Sequence, residues 1–320
     1  MPTAFVIKKL YFPELKRNLL PWCSILLVFV PVAVLRPRIM NYAGLQLLLN
    51  MAMPLSLATV AQMFAMVINE TDFSIGSLVG LVTCVTGVLV SKNAFWGISV
   101  LLGIVLIYMF AGAMIYLKKL PSIIVTIGLS FVWTGLATTL QPAPGGNIPE
   151  PLVRLLATKT PLIPFPVFFM VSLALLGYGI VFKTRFGILV RGTGGNARAI
   201  LQAGHSCFKV YVMVFGLVGF FGILAGLALA GVTTSADANM AKNYTLFSVA
   251  GVVLGGGSFS GGRVSPLGAV LGACTMTLVG TLLTFLKIRP DWQIGAQGMI
   301  ILVVLLINRF IKNAGKVNYV

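Results

Sequence analysis

The chain has 320 residues, of which 58% are hydrophobic and only 9% charged, against about 25% charged in an ordinary soluble domain. A soluble fold of this length cannot hide so much apolar surface, so the composition excludes a soluble globular enzyme and calls for the bilayer as solvent. The net charge of +17 does not indicate nucleic acid, because the basic residues flank apolar runs and form no basic stripe with interleaved aromatics.

A membrane-crossing helix needs about 20 predominantly apolar residues. Ten runs approach that length, so the expected fold class is all-α: a single polytopic transmembrane domain over residues 1–320, with about ten spans. Run 19–35 follows a short segment, 1–18, carrying Lys8, Lys9, Lys16 and Arg17. Its outline is that of a signal peptide. Arg36-Pro37-Arg38 stands where a small-residue cleavage site would be, so it reads as a retained first span. Run 43–69 contains Pro54, which removes one helix hydrogen bond and is expected to kink the span. Runs 73–91, 94–117 and 120–140 follow. Residues 141–163 then carry Pro142, Pro144, Pro149, Pro151 and Pro161 with the turn Gly145-Gly146, the signature of a stiff, irregular loop.

Run 164–182 leads into the longest polar connection, 183–209. There, Asn196 to Gly204 is expected to form a short helix, with Asn196 as N-cap and Gly204 as stop. Runs 210–231, 245–258, 264–286 and 292–309 complete the set. With the N-terminus placed in the cytoplasm, alternation puts 15 of the 23 basic residues inside and 8 outside. Both termini are therefore expected to be cytoplasmic, with 141–163 outside and 183–209 inside, although Arg36 and Arg38 run against the bias. Three small-residue pairs, Gly76/Gly80, Gly222/Gly226 and Gly268/Gly272, permit close backbone approach. Packing within the subunit is favoured over dimerisation.

Chemistry-bearing residues are scarce. The six acids are Glu14, Glu70, Asp72, Glu150, Asp237 and Asp291. None falls at the middle of a run, which argues against an ion-coupled carrier. Cys23, Cys84, Cys207 and Cys274 are far apart and His205 is the lone histidine, so no metal site is expected. No paired carboxylates or nucleophile–base set lies within a run, so no catalytic residues and no cofactor are expected. The string from Gly257 to Val264 resembles a phosphate loop only superficially, with Arg263 and Val264 where Lys and Ser or Thr are needed. It reads as a glycine-rich bend, and the chain is not expected to hydrolyse ATP.

One string is more distinctive: Asn69-Glu70-Thr71-Asp72-Phe73-Ser74-Ile75-Gly76-Ser77. Asp72 or Ser74 is suited to cap the following helix. That accounts for the acid and the serine but not for the whole string. Asp72-Phe73-Ser74-Ile75-Gly76-Ser77 resembles the Asp-Leu-Ser-Val-Gly-Ser signature of the ribose/xylose/arabinose-type permeases of bacterial ABC importers, relatives of the branched-chain amino acid permeases. Three further matches follow in order. They are Thr184-Arg185-Phe186-Gly187 with Gly194-Gly195-Asn196, then Val252 to Ser258 with Gly261-Gly262-Arg263, then Trp292-Gln293. The loop departs from the family pattern in continuing Ala197-Arg198-Ala199-Ile200 and ending Gly204-His205.

The resemblance implies a permease of the bacterial inner membrane. It works with a second permease copy or paralogue, cytoplasmic ABC ATPase subunits and an extracytoplasmic sugar-binding protein, amid membrane lipid. In that setting Thr184, Arg185, Phe186, Gly187, Gly195, Asn196, Arg198, Ala199 and Gly204 are the expected ATPase-coupling element. Asp72, Ser74, Gly76 and Ser77 are the signature residues. Polar residues inside apolar runs are the candidates for the translocation pathway: Gln46, Asn50, Ser56, Gln62, Asn69, Thr126, Ser130 and Thr134. Interhelical hydrogen bonding is an equally natural use for them.

Overall fold

The computed structural model describes residues 21–306, apart from 162, 260, 290, 291, 294, 301, 304 and 305. The segment 1–18 with its four basic residues lies outside the described residues, as do Glu14, Asp291, Arg309, Lys312 and Lys316. The described residues are helical throughout, and the single strand-like feature is an isolated antiparallel bridge between Gly145 and Ala236.

Helix α1 covers Pro21–Leu35 and is followed by a 3-10 turn at Pro37–Met40. Helix α2 is Tyr42–Val67, continuous through Pro54. Helix α3, Ile75–Val85, runs on through a π turn to Val90. Helices α4 (Ala94–Lys118) and α5 (Ser122–Leu140) complete the first half. The proline-rich loop holds a seven-residue helix, α6 (Glu150–Leu156), which the sequence did not suggest. Its first turn is Glu150-Pro151, and Glu150 pairs with Arg154 one turn on. Helix α7 is Phe165–Tyr178 with a π turn to Lys183, and α8 is Arg185–Gln202. Helix α9 is Cys207–Thr233, three residues longer at its start than the apolar run because Ser206 caps it. Helix α10, Tyr244–Leu254, stops short of the glycines that extended its run, and α11 is Pro266–Phe285. Helical residues recur between 292 and 306, where the last run lies only partly within the described residues.

Six of these helices are long and apolar enough to cross a membrane: α2, α4, α5, α7 with its π turn, α9 and α11. Pro21–Leu35, Ile75–Val90 and Tyr244–Leu254 are apolar but shorter. Burial sorts the long ones. The most apolar stretch of α2 is 78% buried, whereas that of α5 is only 17% buried. A helix hydrophobic all round and surrounded by protein is a core element. Helix α2 plays that part, with α7, α9, α10 and α11 packed around it.

Small residues set the approach of the other helices. A Cβ at Gly268 or Gly272 of α11 would collide with the carbonyl of Gly255 or Gly251 respectively, so α10 and α11 pack backbone to backbone. Gly222 and Gly226 of α9 receive Leu78 and Val82 of α3, and Gly76 and Gly80 abut the carbonyls of Ala241 and Ala238. All three glycine pairs seen in the sequence therefore pack within the subunit. In a bilayer such contacts replace the hydrophobic drive that water would supply. Gly272→Val should lower the thermal unfolding midpoint in detergent, since overpacking of this kind costs about 1–3 kcal/mol. Gly103→Ala is the matched control: nothing lies within 4 Å of the added methyl, so the midpoint should hold or rise.

Candidate functional site

Helix α2 ends at Val67, and Asn69 turns the chain with φ +69°, a left-handed conformation that asparagine tolerates better than most residues. The next residues dive into the protein. Asp72 and Ser74 are fully buried. One carboxylate oxygen of Asp72 accepts from the Ser74 backbone N–H at 2.7 Å and from the Ser74 hydroxyl at 2.6 Å. The other accepts from the Tyr108 hydroxyl at 3.2 Å, and the Tyr108 and Ser74 hydroxyls lie 2.7 Å apart. Tyr108 comes from near the middle of α4, and its ring stacks on Trp133 of α5 at 6.2 Å. Among the described residues, Glu70, Asp72, Glu150 and Asp237 lie outside the six long apolar helices, yet Asp72 bonds to a residue near the middle of one.

The backbone of this connector is tied down by side chains from several helices. The Gln62 amide, its orientation assigned from the hydrogen-bond network, donates to the Asp72 carbonyl at 3.0 Å and accepts from its N–H at 3.2 Å. The N–H of Phe73 donates to Thr126 at 3.0 Å, that of Thr71 to Ser122 at 3.2 Å, and that of Gly76 to Thr245 at 3.1 Å. The expected cap is corrected here. Ser74 stands at the N-cap of α3 but makes no side-chain cap. Asp72 bonds to the N–H two residues on, which is an Asx turn.

The polar residues proposed for a pathway differ in what they bond. Gln62, Thr126 and Thr134 gather at the signature, Thr134 through a 3.1 Å bond to Ser77. Ser56 and Ser130 return their hydroxyls to their own helices, bonding the carbonyls of Ala52 and Ile127. Gln46 reaches the carbonyl of Thr158 in the proline-rich loop at 3.4 Å. Asn50 is different, since its buried Oδ1 has no hydrogen-bond partner. Tyr108 and Trp133 were missed by sequence reading. They are ordinary aromatics within apolar runs, marked only by their ring contact and by the bonds of the Tyr108 hydroxyl.

The polar connection 183–209 is more ordered than its composition suggested. The Thr184 hydroxyl accepts from the Gly187 N–H at 3.0 Å and starts α8. At Asn196 the backbone leaves helical geometry (φ −156°, ψ 88°), and the Asn196 Oδ1 accepts from the Ala199 N–H at 3.2 Å. Asn196 thus caps a second helical segment, which Gly204 ends at φ +79°. The first segment, from Arg185, is an addition to the single short helix expected there. Arg185, Gly195, Asn196, Arg198 and Ala199 are exposed, whereas Gly187 is buried. Phe186 and Gly204 line an open groove of about 370 Å³ between α8 and the start of α9.

The inner side of α8 rests on backbone. A Cβ at Gly194 would collide with the Val67 carbonyl, the last residue of α2. That carbonyl also accepts from the Gly262 N–H at 2.8 Å. Gly261 and Gly262 both hold positive φ, +66° and +67°, in the bend between α10 and α11. A Cβ on Gly261 would lie 2.7 Å from the Gly194 carbonyl and 3.1 Å from Asn69. Three segments, α8, the end of α2 and the glycine bend, therefore meet with no side chain between them. The string that superficially resembled a phosphate loop is this bend.

Known proteins match this architecture at the level of sequence. The family described as branched-chain amino acid transport system / permease component matches residues 44–305. The ribose import permease protein RbsC of Bacillus subtilis (strain 168) is 26% identical over 313 residues, covering 94% of this chain and 96% of its own. The autoinducer 2 import system permease protein LsrC of Photorhabdus laumondii is 26% identical over 295 residues, covering 91% and 88%. That of Salmonella typhi is 28% identical over 310 residues, covering 93% and 87%. No solved structure gives a significant match. The family match embraces both the buried signature and α8, and the chain belongs to the branched-chain amino acid transport system / permease component family of membrane permeases.

Proposed function

We propose that this chain forms the translocation pathway of a binding-protein-dependent ABC importer, for a monosaccharide or a related small polar solute. The observation that carries this reading is α8. One side of it is exposed and carries Arg185, Asn196 and Arg198 beside Ile188 and Leu201, and the other is joined through Gly194 to the end of the central helix α2. A helix placed in that way is a lever. A cytoplasmic ATPase that grips the exposed side acts directly on the core, and nucleotide-dependent grip then biases inward- against outward-open states.

The rest of the assignment follows from this reading. The chain is a multi-pass protein of the bacterial inner membrane, with ten spans and both termini cytoplasmic. ATP is hydrolysed by a separate subunit that docks on Thr184, Arg185, Phe186, Gly187, Gly195, Asn196, Arg198, Ala199 and Gly204. A second copy or a paralogue completes the pore. The binding protein delivers its solute near 141–163 and 232–244, two loops that the Gly145–Ala236 bridge holds together. The unpartnered Asn50 Oδ1 in α2 is the pathway residue with a free acceptor to offer a hydroxylated solute. The ribose and autoinducer 2 permeases among the relatives favour the sugar reading. The family description favours a branched-chain amino acid as the alternative solute.

Uptake into proteoliposomes tests this directly. A complex of this chain, its ATPase and its binding protein should accumulate a labelled sugar only with all three components and ATP. Accumulation of leucine or valine instead would select the alternative solute. Uptake by the chain alone, driven by an ion gradient, would discard the importer reading. Gly194→Ala tests the lever. The complex should still assemble, but solute moved per ATP hydrolysed should fall at least about tenfold, since displacement of about 1 Å in a coupled site is enough for large losses. Arg198→Glu, on the exposed side, should instead weaken ATPase association in a pull-down assay.

A further inference from the structure

The turn between α4 and α5 borders a groove that the transport reading leaves unused. It has a volume of about 610 Å³ and is lined by Glu70, Tyr116, Lys119, Pro121 and Tyr211 among others. The Glu70 carboxylate accepts from the Tyr211 hydroxyl at 3.0 Å. Among the described residues it makes no ion pair with a basic side chain. The rings of Tyr116 and Tyr211 lie 5.3 Å apart beside it. Lys119 is exposed, in a left-handed conformation (φ +52°) that ends α4. The adjoining surface is apolar, with Leu117 62% and Ile124 67% exposed.

The groove thus has three parts: a carboxylate flanked by aromatic faces, an ammonium group apart from it, and an apolar strip leading away along two membrane-crossing helices. A ligand with the complementary pattern carries a cation, a phosphate and acyl chains. The cation meets Glu70 by a charge-assisted hydrogen bond and the tyrosine faces by cation–π attraction. The phosphate meets Lys119, and the chains lie on the strip. We propose that this groove binds the headgroup of a membrane phospholipid bearing a primary amine, phosphatidylethanolamine. A choline headgroup has no N–H to donate to Glu70, and a glycerol headgroup has no cation. The bound lipid would clamp the connector that carries Asp72 to the α4–α5 turn and to α9. This site does not depend on the transported solute or on the ATPase.

Native mass spectrometry of the purified full-length chain, with lipids added in mild detergent, tests the proposal. Phosphatidylethanolamine should be retained at one molecule per chain, about tenfold more tightly than phosphatidylcholine or phosphatidylglycerol. Glu70→Gln should remove that preference, and Glu150→Gln, in the outer loop, should leave it intact. The headgroup comparison on the unaltered chain needs no variant to fold, and stepwise N-methylation of the amine should weaken retention progressively. Equal retention of the three lipids, which is what a general lipid belt gives, would overturn the proposal. So would an unchanged preference in Glu70→Gln.

Discussion

In the interior of a membrane protein every backbone N–H and C=O needs a partner, because no bulk water is there to supply one. Helices meet that demand within themselves, and irregular chain does not. The connector from Ile68 to Ser74 is irregular and is fully buried at Asp72 and Ser74, and it survives because neighbouring helices lend it side chains. Gln62 serves both polar groups of the Asp72 peptide, while Thr126, Ser122 and Thr245 take the N–H groups of Phe73, Thr71 and Gly76. The Asp72 carboxylate closes the knot by accepting from Ser74 and Tyr108. Removing one partner from such a network leaves another group unsatisfied, at about 1–3 kcal/mol each. The signature residues are therefore architecture first: they fix where α3 begins relative to α2, α4 and α5.

The glycines complete the same design. Where α10 meets α11, and where α8 meets α2, the contact is between backbones. Contacts without side chains have no rotamers to absorb a displacement, so a shift of one segment moves its neighbour. At the junction of Gly194, Val67 and Gly262, this property links α8, which is exposed on one side, to the central helix α2. The buried knot begins a few residues further along the chain from Val67. The contact of α8 at Val67 and the buried Asp72 are thus five residues apart in the chain.

Much of this was readable in advance. Among the described residues the apolar runs correspond to helices because hydropathy is a local property and the bilayer imposes one length requirement on each run. The caps at Thr184, Asn196, Ser206 and Ser265 lie where polar residues precede apolar or glycine-rich stretches. Other features gave no local sign. Helix α6 hides in a proline-rich loop, yet Pro151 in its first turn is compatible with a helix start. Ser74 looks like a cap, but its hydroxyl donates back to Asp72 and lies 2.7 Å from the Tyr108 hydroxyl of α4.

The sequence by itself determined that this protein lives in a membrane, roughly where its helices run, and which family it resembles, because those properties are written in composition and in short contiguous strings. Only the tertiary structure decided what the strings do. Asp72 finds Tyr108 and Gln62, and Phe73 finds Thr126, across three different helices, and Gly194 finds Val67 and Gly262 across two long intervals of chain. The partners are single polar or small residues in otherwise apolar helices. They repeat with no period, and nothing in the linear order distinguishes them from residues that merely face lipid.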